Sequence, residues 1–192
     1  MAEPRPAVPV LLVAAVFSRH ADAIARARAR LEETYGPVER ESPALAFDQT
    51  DYYAATMGID LRKQFFAFHD LITPDRLADI KLHTNALERE LTQSGSYSEA
   101  RPVNIDPGYL TLGKFLLATT KDQAHRIYLR DGIFAEVTLR YQAGAFEPWP
   151  WTYADYRQPA VLAFLQEART FYHDRLRAVR RDGEASSVGS GE

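Results

Sequence analysis

The sequence predicts an α+β fold, a β-α-β-β-α-β core extended by an antiparallel β-meander and a C-terminal helix. Two observations carry this. Hydrophobic periodicity alternates between the strand value of 2 and the helix value of 3.6 in that order along the chain. Glycine and proline signals punctuate the changes. The 192 residues, 46% hydrophobic and 26% charged, suffice for one buried core, and the length favours one domain over two.

Val10 to Phe17 is a continuous apolar run that reads as a buried first strand. It is too short to cross a bilayer, and no small-residue cleavage site closes it. Ser18 stands where a cap belongs for a helix reaching about Tyr35. In that helix Ile24, Ala27, Leu31 and Tyr35 recur at helical spacing, and Gly36-Pro37 stops it. Arg26, Arg28 and Arg30 point in different directions around it and read as a solvated face. Strand character returns at 38–47 and 61–71, joined by DQTDYYAATMG. Thr73 then caps and Pro74 opens a second helix, with Leu77, Ile80, Thr84, Leu87 and Leu91 as its buried stripe. RPVNI is a further strand, ahead of the turn DPG. This succession is the ferredoxin-like pattern. KFLLATTK, HRIYL and IFAEVTLRY extend it as the meander. A last helix from Pro159 to Arg177 carries Leu162, Leu165, Tyr172 and Leu176 on or near one stripe. The domain spans 10–178. Residues 1–9, with three prolines, and the polar, glycine-rich 179–192 read as disordered tails.

The formal charge of −3 gives no general pull toward nucleic acid or anionic lipid. The absence of cysteine excludes thiolate chemistry and disulfides, and a cytoplasmic setting is expected. The complete phosphate loop G-x-x-x-x-G-K-[ST], the dinucleotide motif G-x-G-x-x-G and the nucleophile elbow G-x-S-x-G are all missing. The five histidines and the carboxylates show no metal-ligand spacing, so no metal is expected, and no cofactor is legible.

The hairpin around Arg130-Asp131-Gly132 can be reasoned further. A two-residue Asp131-Gly132 turn pairs Arg130 with Ile133 and brings Ile127 level with Glu136, mixing apolar and charged residues on both faces. A three-residue loop pairs Leu129 with Ile133 and Ile127 with Ala135. One face is then wholly apolar: Ile127, Leu129, Ile133, Ala135 and Val137. The other sets Arg126 opposite Glu136 and Tyr128 opposite Phe134, followed by Thr138 and Arg140. Burying one clean face fixes register, so the three-residue loop is expected, with Gly132 at positive φ. The polar face is either solvated or a floor on which Arg126 binds an anion and Glu136 orients it.

Other candidates also carry two readings. Lys81 and Asn85 flank the stripe of the second helix one turn apart. Lys81 either snorkels to water or points over the sheet at the same anion. Asn104 and Asp106 either stabilise the DPG turn or leave Asp106 as a strand-end carboxylate fit for general base work. Tyr52 and Tyr53 either roof the core or offer stacking surfaces to a nucleotide or an RNA base. His83 reads as solvated, and His125 should face away from Arg126.

DQTDYYAATMG, LADIKLHTN, VNIDPGYLTLGKFLLATTKDQAHRIYL, GIFAEVTLRY and FEPWPWTYADYR resemble, in order, the successive blocks of an uncharacterised bacterial family, domain of unknown function 4416. The resemblance runs from about Val10 to about Leu176. It implies a bacterial stand-alone domain and assigns no role to any polar position. His83 departs from it, where a smaller residue is expected.

The residues point to a cytoplasmic protein that binds a phosphate- or carboxylate-bearing small molecule such as a nucleotide; whether it also processes that molecule is not legible. Lys81, Lys121, Arg126 and Arg140 are the expected anion contacts, joined by Asn85, Asn104, Tyr52 and Tyr53, with Asp106 and Glu136 as acid/base groups. Two alternatives stand beside this reading. One is an RNA-binding module using the sheet face and the Tyr52-Tyr53 loop. The other is a structural or protein-interaction domain using the aromatics of EPWPWTYADY. No membrane partner is expected. The small-ligand reading requires Lys81 and Arg126 to converge across 45 residues of sequence, with Glu136 or Asp106 balancing their charge. It also expects Arg126→Ala to leave stability unaltered or raise it.

Overall fold

A strand that is apolar along its whole length must be covered on both faces, and the first strand sets the architecture accordingly. In the computed structural model, which describes residues 3–188, β1 (Val10–Ser18) is buried at every position. It lies between β4 (Arg62–Ile72) and β5 (Asn104–Leu110), antiparallel to both. Its even-numbered side chains Leu12, Ala14 and Val16 pack with α1 (Ala21–Tyr35) and α3 (Leu77–Gln93). Its odd-numbered Leu11, Val13 and Ala15 pack with α4 (Pro159–Val188) through Phe164, Leu165, Ala168 and Tyr172. Two helices therefore cover one face and one covers the other. Among the described residues no helix is long and apolar enough to cross a membrane.

The remaining elements are β2 (Val38–Glu41), β3 (Leu45–Ala46), α2 (Ala54–Met57), β6 (Lys114–Thr119), β7 (Ile127–Arg130), β8 (Ile133–Gln142) and β9 (Ala145–Pro148). The sheet order is β2-β4-β1-β5-β6-β8-β7, with β3 on β4 and β9 on β8. The fold is α+β. The second helix enters through a 3₁₀ turn with Pro74 in its first position, as read, and Leu77, Ile80, Thr84, Leu87 and Leu91 are all buried, but Thr73 makes no side-chain capping hydrogen bond.

Several expectations are corrected. Asp106-Pro107-Gly108 is not a turn but the middle of β5, paired through to Leu110. The three added strands are antiparallel but not in chain order, because β8 inserts between β6 and β7. The ten residues of β8 alternate buried positions along most of their length, whereas all four of β7 are exposed; the strand that buries more takes the inner place. Ile127 and Leu129 are thus 72% and 40% exposed on an edge strand, not part of a buried apolar face, while Ile133 and Ala135 pack on Leu77 and Ala78 of α3. Ile127 does pair with Ala135 and Tyr128 with Phe134, yet Arg130 rather than Leu129 pairs with Ile133. A two-residue turn with both Asp131 and Gly132 at positive φ closes the hairpin, and an irregularity between Tyr128 and Arg130 absorbs the extra residue. The last helix runs eleven residues past Arg177, to Val188, through a segment with a single glycine, Gly183, and no proline. Of the expected tails, residues 1–2 and 189–192 lie outside the described residues. Ser18 does not cap α1; its hydroxyl donates to Pro102 O and accepts from the His20 N–H.

The feature that positions the site is a split in the sheet. Pairing between β5 and β6 covers only Gly108–Leu110 and Phe115–Leu117. Beyond it Asn104–Pro107 pair with β1 alone and Ala118–Thr119 with β8 alone. Pro107 has no N–H to offer a further partner. At Gly108 the backbones come so close that an added Cβ would overlap the carbonyl oxygen of Leu116. Gly108 to Lys114 does spell G-x-x-x-x-G-K, but Phe115 follows, and the segment is a strand-to-strand turn rather than a phosphate loop opening a helix.

Gly108→Ala is expected to destabilise the fold by about 1–3 kcal/mol, because β6 must shift to admit the methyl group. Urea unfolding checks this; a midpoint equal to that of the parent chain would show that the two strands do not need their close approach.

Candidate functional site

Where β5 and β6 part, a cavity of about 370 Å³ opens. Lys81 on α3 reaches it through the gap. Lys81 is 5% exposed, and its Nζ donates to Ile105 O at 2.8 Å and to Asp106 Oδ1 at 3.3 Å. It does not snorkel to water. Asn85, one turn along, lines the same cavity.

On the far wall Arg126 and Glu136 are side-chain partners, as expected, at 2.8 Å, but neither is solvated. Each nitrogen of the guanidinium bonds a different chain segment: Nε donates to Glu136, Nη1 to Lys121 O at 2.9 Å and Nη2 to Tyr153 OH at 2.9 Å. Burial works against its charge, while the bonds to Glu136 and Tyr153 outweigh that and raise its pKa. His125 does not face away. Its Nε2 lies 3.1 Å from the same Glu136 oxygen, because residues 124–125 form a turn in which strand alternation does not apply. Lys121 and Tyr52 meet across the mouth, Nζ 3.3 Å from the hydroxyl and 4.4 Å from the ring centroid. Tyr53 packs behind them on Phe17 and Phe47.

Of the expected site residues, Lys81, Asn85, Asn104, Asp106, Lys121, Arg126, Glu136, Tyr52 and Tyr53 all line this one cavity. Arg140 does not. β9 pairs with the second half of β8, and Arg140 is held there by Glu147 at 2.8 Å, its guanidinium 4.8 Å above the Trp149 ring. The tyrosine and tryptophan segment wraps the sheet. Trp149 and Trp151 stack 5.2 Å apart at 5°, His125 stacks on Trp151 at 5.2 Å, and the Trp151 Nε1–H donates to Val137 O. His83 is also paired rather than solvated, its Nδ1 2.6 Å from the Tyr35 hydroxyl, whose pKa burial raises to about 12.

Among the ionisable lining residues, sequence reasoning missed five: Lys63, Arg101, Tyr153, Asp155 and Tyr156. Lys63 is 4% exposed, bonded to Asp155 Oδ2 at 2.6 Å, with the Tyr156, Phe47 and Phe17 rings 4.5, 5.1 and 5.2 Å from its Nζ. A signal existed: Lys63, Phe65 and Ala67 alternate onto one face of β4, and Phe65 and Ala67 belong to the α4-side core. Arg101 ties Glu88 at 2.8 Å to Asn104 Oδ1.

Three ion pairs thus surround the cavity: Lys63–Asp155 and Arg126–Glu136, both buried, and Lys81–Asp106, whose carboxylate is half-buried. Burial opposes ionisation of Asp106, yet Lys81 and Lys63 outweigh it and lower its pKa. Glu88, behind Arg101, goes the other way: burial dominates over Lys81 and Arg101 and raises its pKa. Burial likewise raises Tyr53 and Tyr156, so both remain neutral hydroxyls. Two polar atoms of the lining residues have no partner, Asn104 Nδ2 and Tyr156 OH. Among the described residues no three His, Asp or Glu side chains are placed to hold a metal ion.

Two outcomes follow. Arg126→Ala strands Glu136 in the interior, so a loss of about 3–5 kcal/mol is expected, reversing the sequence-based expectation; urea denaturation measures it. Asp106, with its lowered pKa, contributes stability above its unfolded-state value and loses it as pH falls through its folded one. Asp106→Asn should therefore flatten the acid limb of stability against pH, and an unchanged slope there would show that Asp106 does not titrate as stated.

A family model described as a domain of unknown function, DUF4416, matches residues 8–172. Neither the curated proteins nor the solved structures contain a match to the chain.

Proposed function

The chain belongs to the DUF4416 family, and we propose from its cavity that it binds a small molecule bearing phosphate or carboxylate. One observation carries this reading. Five cations line the cavity, Lys63, Lys81, Arg101, Lys121 and Arg126, against three carboxylates, Asp106, Glu136 and Asp155. Glu88 behind the wall pairs with Arg101, and Lys121 has no carboxylate partner among the described residues, which leaves an excess of one positive charge. An excess cation beside a partly enclosed, partly aromatic space is stabilised by an anion, which supplies the missing counter-charge. The volume falls within the range of about 300–1,000 Å³ usual for small-molecule sites. Arg126 serves here as a wall tie rather than as the ligand contact, and the donors left for an anion are those of Lys81, Arg101 and Lys121.

The alternative of RNA stacked on the sheet is less well supported, because both sheet faces carry helices and the 149–157 segment covers part of the rest. The cysteine-free composition supports a reducing, cytoplasmic setting.

Thermal unfolding in phosphate, pyrophosphate, small carboxylates and nucleotides, each against chloride of equal ionic strength, tests the proposal. A ligand at a hundred times its Kd should add about 2.7 kcal/mol of stability. Lys81→Met, with its circular dichroism unchanged, should lose that protection. Absence of protection by every anion at millimolar concentration would refute the reading. Steeply salt-dependent retention of single-stranded RNA without small-anion protection would favour the alternative.

A further inference from the structure

We infer that the ligand is a nucleotide whose ring presents an imide edge, an N–H between two carbonyl oxygens, as uracil does. This rests on the anion-binding reading and follows from asking which polar atoms of the cavity are already used. Lys63 bonds Asp155 behind a cage of aromatic rings, and Arg126 is tied to Glu136, Lys121 O and Tyr153, so these four are committed to the wall. Three groups are not.

Asn104 is 3% exposed and its amide is oriented by Arg101. A guanidinium only donates, so the atom it meets is the oxygen and the free atom is Nδ2, a donor. Tyr156 is 2% exposed, and its hydroxyl has no partner. Asp106 accepts only from Lys81 among the described residues, and its side chain is 28% exposed at the cavity. The wall therefore offers two neutral donors and one carboxylate acceptor. An N–H flanked by carbonyl oxygens is their complement: the N–H donates to Asp106, and the oxygens accept from Asn104 and Tyr156. Adenine and cytosine present a ring-nitrogen lone pair in place of that N–H, which a carboxylate repels.

The rest of the cavity fits the rest of a nucleotide. Phe17, Phe47 and Tyr53 supply apolar ring surface beside these groups. Lys121 is exposed and Arg101 is 37% exposed in its side chain, so the cations with free donors stand toward solvent, where a phosphate would remain partly hydrated.

Calorimetric titration of the full chain with uridine, inosine, guanosine, adenosine and cytidine monophosphates tests this, with uridine and inorganic phosphate as the two partial ligands. Uridine monophosphate should bind about tenfold or more tightly than the adenosine and cytidine forms, since a hydrogen bond to a charged group decides between them, with the inosine and guanosine forms, which carry a single oxygen beside that N–H, in between. Asp106→Asn, able to donate as well as accept, should erase that preference. Lys121→Ala should weaken uridine monophosphate but not uridine. Equal affinity for all five nucleotides would overturn the inference. So would protection by inorganic phosphate with no nucleotide bound, an outcome that leaves the anion-binding reading standing. Failure of phosphate, carboxylates and nucleotides alike would remove both.

Discussion

The parting of β5 from β6 after one short stretch of pairing is the constraint on which the rest of the cavity depends. In a continuous sheet a lysine on the inner face of α3 would meet only apolar side chains and a closed ladder of hydrogen bonds. Here the ladder stops at Gly108 and Leu117, the Ile105 carbonyl is left free to accept, and Lys81 takes it on its way to Asp106. Pro107 and Gly108 act on the two sides of this boundary. The proline has nothing to donate beyond it, and the glycine lets the strands close tightly before it.

Once the gap exists, its charges organise the walls. Each pair joins two different elements: β4 with the 3₁₀ turn Ala154–Arg157, α3 with β5, and the loop before β7 with β8. Taking such groups out of water costs several kcal/mol per ion, and the mutual attraction offsets this only when geometry and further hydrogen bonds are good. Glu136 meets that condition, with His125, Arg126 and Thr138 around it. Asp106 meets it only in part, which is why it stands out as a group with bonding capacity to spare.

The sequence made the scaffold legible where burial imposes a period. The stripe of α3, the doubly buried β1 and the partnership of Arg126 with Glu136 all follow from alternation. It also brought nine of ten candidate residues into one cavity, because strand-end and loop positions on one side of the sheet converge there. What it could not show is where pairing ends. Asp-Pro-Gly is strong turn chemistry locally, and only the placement of β1 beside it makes it a strand. Arg140 obeys the same alternation as Glu136, but β9, a four-residue strand without local signal, draws it to Glu147. Lys63 and Asp155 are 92 residues apart, and neither has meaning without the other.

The stacked tryptophans have an optical consequence. Trp149 and Trp151 are the two tryptophans of the chain, and they lie ring on ring with His125, which itself touches Glu136 on the cavity wall. Intrinsic fluorescence of the unlabelled protein therefore originates beside the candidate site, with no distant tryptophan to dilute it. Emission of a stacked indole responds to what lies against it, so a shift of His125 on Trp151 registers in the signal. A ligand that rearranges the contacts around Glu136 thereby acquires a built-in reporter.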